Sequence, residues 1–163
     1  MKNLCLSCVS FLSLMIVLCN FPIAYAANDT YQSILKEMEN EKGYFYTWSL
    51  KDKANFYEQH VYDSDSSGMR RAAPSSQAIS ENKAIQTVRN VIIEKFSIEA
   101  NALDSLICER NYFKGNMPGS RQQTEMYLIR YLEGNPQKPD ALRSVYQVSI
   151  DAYSGEVLSI LAQ

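Results

Sequence analysis

The stretch from Leu142 to Leu161, LRSVYQVSIDAYSGEVLSIL, constrains this chain more than any other. An alternating apolar run meets a short polar turn containing a glycine, and a second apolar run follows, which is the pattern of a β-hairpin. Alternation puts Tyr146, Val148 and Ile150 on one face and Val145, Gln147 and Ser149 on the other. Asp151-Ala152-Tyr153-Ser154-Gly155-Glu156 suits a type I turn ending in a left-handed Gly155, with Asp151 accepting from the turn amides. Such a hairpin has one apolar face and needs a cover.

The cover is Ser80 to Phe96. Ser80 can cap a helix, Glu81 suits its positive start, and Ile79 with Ala84 can form a hydrophobic staple. Ala84, Ile85, Val88, Val91, Ile92 and Phe96 make one apolar stripe. Ser97 to Leu103 should add a turn, with Ile98 and Leu103 tucked beneath. The period then changes to two. Ser105 to Phe113 and Gln122 to Leu132 read as strands, joined through Gly115, Pro118 and Gly119. In the second strand Tyr127, Ile129 and Tyr131 share a face opposite Thr124, Met126 and Leu128. The expected fold is α+β: one long helix packed on an antiparallel sheet of about four strands, preceded by a short helical N-terminal segment.

That segment begins with a helix over Thr30 to Lys42, in which Tyr31, Ile34, Leu35 and Met38 recur at helical spacing and Gly43 provides the stop. Tyr44 to Trp48 is aromatic and β-branched and predicts a brief extended piece. Ser49 can cap a second helix running to about Val61. The rings around Trp48 are expected to pack this unit onto the core rather than to hold a ligand. Residues 62 to 79 are Ser-rich, with Gly68 and Pro74, and read as a linker in which Arg70-Arg71 would be easily nicked.

Residues 1–26 are expected to lie outside the fold. Lys2, an apolar run from Leu4 to Leu18, Pro22, and then Ala24-Tyr25-Ala26 make a secretory signal peptide cleaved after Ala26; the rival is an uncleaved membrane anchor. Cys5, Cys8 and Cys19 leave with it, so Cys108 alone remains and no internal disulfide can form. The 16 basic residues less Lys2, against 18 acidic ones, give the processed chain a net charge of −3. That balance argues against nucleic acid as a partner. The expected organisation is residues 1–26 as signal, 27–61 as a helical and aromatic segment, 62–78 as linker and 79–163 as the main domain.

The run Tyr146-Gln147-Val148-Ser149-Ile150-Asp151-Ala152-Tyr153-Ser154-Gly155-Glu156-Val157-Leu158 resembles the PepSY domain, whose strand ends "V-x-I-D" before a "TGEV"-like turn. Ser154 stands where that family usually has Thr. Ile79 to Phe96 is similar to the family's opening helix, so the likeness covers residues 79 to 161. Tyr46 to Phe56 resembles a short Trp-containing motif found before such domains in secreted proteins. The family is similar to the propeptide region of thermolysin-like metallopeptidases. The resemblance implies a non-catalytic module that binds protein, with a secreted peptidase to restrain or chaperone as its partner. It brings no catalytic residues and no cofactor.

Chemical motifs are weak. Asp63-Ser64-Asp65-Ser66-Ser67-Gly68 copies the front of a calcium-binding EF loop, but position 8 is Arg70 and the bidentate Glu expected at position 12 is Pro74. His60 is the only histidine, so zinc would need two carboxylates beside it and Cys108. His60 with a Ser or Cys nucleophile lacks any G-x-S-x-G elbow. Asp151 and Glu156 pass for paired carboxylates, yet the turn accounts for both. The expected site list is therefore empty for catalysis, cofactor and metal. The leading reading is an extracytoplasmic protein-binding module using an open sheet face or an edge strand. An envelope interaction or sensing module, membrane-tethered if the leader is kept, is the alternative, and a hydrolase is third.

Overall fold

A computed structural model describes residues 29–60, 68–116, 123–138 and 141–163, with the side chains of 29–32 excepted. The expected signal peptide, most of the EF-like run and the expected connection around Pro118 fall outside those residues. Helix α1 spans Asp29–Lys42, a 3-10 turn Phe45–Thr47, and helix α2 Leu50–His60. Strand β1 is Arg70–Arg71, helix α3 is Glu81–Phe96, and α4 is Ala100–Asp104. Strands β2 (Ile107–Asn116), β3 (Gln123–Glu133), β4 (Arg143–Asp151) and β5 (Val157–Ala162) complete the order. The strands form one antiparallel sheet ordered β1-β2-β3-β4-β5.

The α+β expectation holds, with differences in detail. The sheet has five strands rather than four, because Arg70-Arg71 pairs with Lys114 and Phe113 on β2. Two residues carry no alternation to read, and their pairing is imposed by β2. Gly115 makes the approach possible: a Cβ there would lie 2.0 Å from the Gly68 carbonyl oxygen. The dibasic pair is thus strand rather than open linker. Arg71 is half-buried, its guanidinium 4.2 Å from the Tyr57 ring centroid and its Nε 3.1 Å from Asn111 Oδ1. Tyr44 to Trp48, expected extended, is instead wound into the 3-10 turn, which Trp48 fastens by donating from Nε1 to the Gly43 carbonyl at 2.6 Å.

Helix α3 starts where its sequence says. Ser80 is extended, and its hydroxyl accepts from Lys83 N at 3.3 Å. Ser97 ends the helix in a left-handed conformation, φ 51°. Ala84, Val88 and Ile92 are wholly buried against Tyr112, Tyr127, Ile129, Tyr131, Val148 and Ile150. Each buried Val or Ile contributes about 1.5–3 kcal/mol of apolar transfer. The entry to α3 is fixed to the sheet at two points: Ile79 N donates to the Ala152 carbonyl at 2.8 Å, and Tyr127 Oη donates to the Ile79 carbonyl at 2.6 Å. Leu103 on α4 closes the same core.

The closing turn has the expected construction. Gly155 lies at φ +76° and its N–H returns to the Asp151 carbonyl at 3.0 Å. Asp151 Oδ1 accepts from Tyr153 N at 3.0 Å, Ser154 N at 2.8 Å and the Ser154 hydroxyl at 2.9 Å. The N-terminal unit has a core of its own, Trp48, Phe56 and Tyr57, against which Ile34, Leu35, Met38 and Phe45 pack. It wraps the β2 side of the sheet, while Leu50 reaches the core under α3.

Candidate functional site

A sheet ordered β1-β2-β3-β4-β5 has two edges, and this chain treats them differently. On β2 the outward carbonyls alternate. Ala72 N bonds that of Tyr112 at 3.0 Å, where β1 gives out. The next outward carbonyl, Arg110, is taken by Lys53 Nζ at 2.6 Å, which also reaches the Tyr46 carbonyl at 3.3 Å. Arg110 itself donates to the Thr47 carbonyl at 3.4 Å and pairs with Glu81 at 3.2 Å. Helix α2 and the 3-10 turn thus finish an edge that two-residue β1 leaves short. An edge closed by a buried cation cannot accept another strand.

The opposite edge is β5. Gln163 N donates to the Val145 carbonyl at 3.0 Å, and Ser149 Oγ lies 2.6 Å from Ser159 Oγ. Gln147↔Leu161 and Ser149↔Ser159 are therefore the bonded pairs of this ladder, and the main-chain groups of Ile160 and Ala162 face away from β4. No described residue pairs with them. The strand, VLSILA, has no charge, no proline and no glycine. Leu158 is 39 % exposed, and Tyr153 in the adjoining turn is 45 % exposed. A register shift between Ser149 and Ile150 is the one irregularity of the pairing.

The second face of the sheet carries a charged cluster that sequence reading passed over. Glu109 and Arg130 are cross-strand partners on β2 and β3, and Arg130 Nε bonds Glu109 Oε2 at 2.6 Å. Burial would raise the Glu109 carboxyl, but Arg130 and Lys53 outweigh it and hold the group below the usual range. Burial drives the Lys53 ammonium the other way, down to about 8, against the attraction of Glu109. The signal was present: Glu109 and Asn111 fall on the face of β2 opposite Cys108, Arg110 and Tyr112, where a solvated face needs no explanation. What was hidden is that α2 would cover them. Glu109 and Arg130 border a cleft of about 280 Å³ with Leu35, Glu39, Phe45, Tyr46, Leu132, Leu142 and Ser144. Glu109 and Arg130 are paired with each other, and the third charged group, Glu39, accepts from Phe45 N at 2.7 Å, so the charged groups of the lining are already engaged.

The residues weighed for chemistry are scattered. His60 ends α2 with its ring 5.1 Å from Phe56, whereas Cys108 packs in the core under α3. Burial raises the Cys108 thiol, which disfavours the thiolate a nucleophile needs. Asp151 serves the turn amides, and Glu156 contributes its main chain to the turn, accepting from Asp151 N at 2.8 Å. Residues 63–67 lie outside the described residues. Among the described residues no group of three or more His, Cys, Asp or Glu is placed to hold a metal ion. Nor is any described helix long and apolar enough to cross a membrane. No family model matches the chain, and no curated protein or solved structure matches it either.

Proposed function

We propose that this chain is an exported, non-catalytic, PepSY-like module that binds protein, restraining or escorting a secreted peptidase by taking an extended segment of it alongside β5. One observation carries the reading. Of the two sheet edges, one is closed by Lys53 and the other is an uncharged strand whose outward groups meet no described residue. Natural sheets usually blunt such an edge with charge, proline or a bulge; β5 carries neither charge nor proline, its register shift lies at the Leu158 end, and strand addition is the use to which such an open edge is put. The main chain supplies the bonds. Leu158 and Tyr153 beside it supply apolar contact for alternate side chains of the guest.

The export half rests on the leader sequence, and the peptidase half on the hairpin and helix likeness. Protein recovered from the extracytoplasmic fraction is expected to form a complex with, and slow, at least one metallopeptidase secreted by the same cell. Ala162→Pro, which removes an outward N–H and no bond to β4, should weaken that complex at least tenfold. Undiminished inhibition by Ala162→Pro would remove β5 as the docking edge. Failure to bind any secreted peptidase would remove the peptidase role.

A further inference from the structure

We infer that, before any other partner, a second copy of this chain occupies the β5 edge, two copies joining antiparallel about a two-fold axis at Ile160. The inference rests on the reading that β5 is the docking edge and names its resident occupant. An isologous interface sets a patch against itself, so the strand must tolerate its own image. In this register Ile160 faces Ile160 of the other copy in a bonded position that β4 leaves free, and Ala162 stands opposite Leu158, the residue skipped at the register shift. The pairs are apolar, and the one that is not identical matches a large side chain with a small one. No charge falls within VLSILA, so the two-fold brings no like charges together. Glu156, the nearest acid, lies before the strand and beyond the other copy's Ala162 in this pairing.

The core supports the same register. Ile160 packs against the cluster under α3 and pairs with Val148, a wholly buried residue, so Ile160 against Ile160 extends that apolar layer across the axis. The β2 edge cannot form the equivalent contact, because Lys53 holds the Arg110 carbonyl. The dimer then stores the edge, and an arriving segment of a partner must displace a copy to reach it. Inhibition of a peptidase would fall as dimer forms.

Sedimentation of protein from the extracytoplasmic fraction tests this. A mass twice that of the single chain is expected at high concentration, returning to one chain on dilution. Ala162→Pro and Leu158→Lys should each give a single chain at all concentrations, with the wild-type circular dichroism. Oxidation of Ile160→Cys should trap a disulfide-linked dimer, since bonded antiparallel pairs place Cα atoms about 5.5 Å apart, within disulfide reach. Leu158→Cys, which faces Ala162, should not. A wild type that is a single chain throughout overturns the dimer, as does a dimer that survives both β5 substitutions. A monomer that still binds peptidase leaves the docking edge standing, and a β5 dimer without a peptidase partner leaves the dimer standing.

Discussion

Lys53 Nζ donates to the Arg110 carbonyl across 2.6 Å, joining α2 to the bare edge of β2 through a side chain that is 1 % exposed. A cation buried to this degree is costly, and its position is sustained by the two carbonyls it bonds and by Glu109 nearby. Lys53→Met keeps the stem's packing and strands the Arg110 oxygen. It should cost about 1–3 kcal/mol in urea unfolding near neutral pH.

That cost should grow with pH. The folded value of Lys53, about 8, lies below its ordinary one near 10.5. Between the two, the unfolded chain holds a proton that the folded chain has lost, so wild-type stability rises through this window. The substituted protein lacks the group, and tyrosine titration cancels in the difference. The gap between wild type and Lys53→Met should therefore be wider at pH 10 than at pH 7. A constant gap would show that the ammonium titrates as it does in water.

Glu125 should show the same sign in the acid range for the opposite reason, since here the fold favours the charged form. Its carboxylate is 5 % exposed, 2.8 Å from Lys114 Nζ and bonded by Tyr112 Oη. Burial alone would raise it, but Lys114 and Tyr112 outweigh that and bring it down to about 2. The stabilisation is present above the ordinary value near 4.5 and is lost as pH falls from there towards 2. Wild type should lose stability steadily across that range in thermal melts, and Glu125→Gln should lose less. Parallel curves would assign the acid transition to other carboxylates.

Lys53 and Glu125, with their partners, mark the limit of what the chain discloses as a string. Local chemistry is legible: Ser80 caps, the α3 stripe is buried, and Asp151 with Gly155 makes the turn, because each depends on residues within a few positions. Long-range satisfaction is not. Lys53 and Arg110 are separated by 57 positions, and Lys53 looks like any solvated helix lysine. Arg71 likewise reads as a linker residue until Tyr57 and Phe113 flank it. The 3-10 turn at Phe45 replaces the expected extended piece because the Trp48 indole and Glu39, which accepts from Phe45 N at 2.7 Å, draw the chain back on itself. The second run of the hairpin reads as apolar, but that it lies at an edge, and that this edge differs from the β2 edge, needs the sheet order.

Two separate clusters should respond separately. Phe56 is 1 % exposed and packs among Phe45, Trp48 and Tyr57, away from the cluster under α3. Phe56→Ala should cost about 3–5 kcal/mol. Hydrogen exchange should quicken over Leu50–His60 and the Phe45–Thr47 turn well before it does in β3 and β4. Ile92→Ala, in the other cluster, should cost about 2–5 kcal/mol and speed exchange along α3 and the sheet. Uniform acceleration by both would mean that the N-terminal unit and the sheet open as one.

Gly155 tests the turn that holds β4 and β5 in register. Its φ of +76° is one that a branched residue resists, and a Cβ there would also stand 3.4 Å from Ile79 Cδ1. Gly155→Val should cost about 1–2 kcal/mol from the backbone alone. Asp151→Ala removes the acceptor of the Tyr153 and Ser154 amides and should cost about 1–3 kcal/mol. Both substitutions act on one loop, so the double variant should lose less than the sum of the two, a coupling that a double-mutant cycle in thermal or urea unfolding would read. If β5 is the docking strand, the same variants should also loosen it and weaken association at the edge, whereas Ile92→Ala should lower stability and leave association by the folded fraction unchanged. Equal losses of association in all three, after correction for the fraction folded, would separate the turn from the edge.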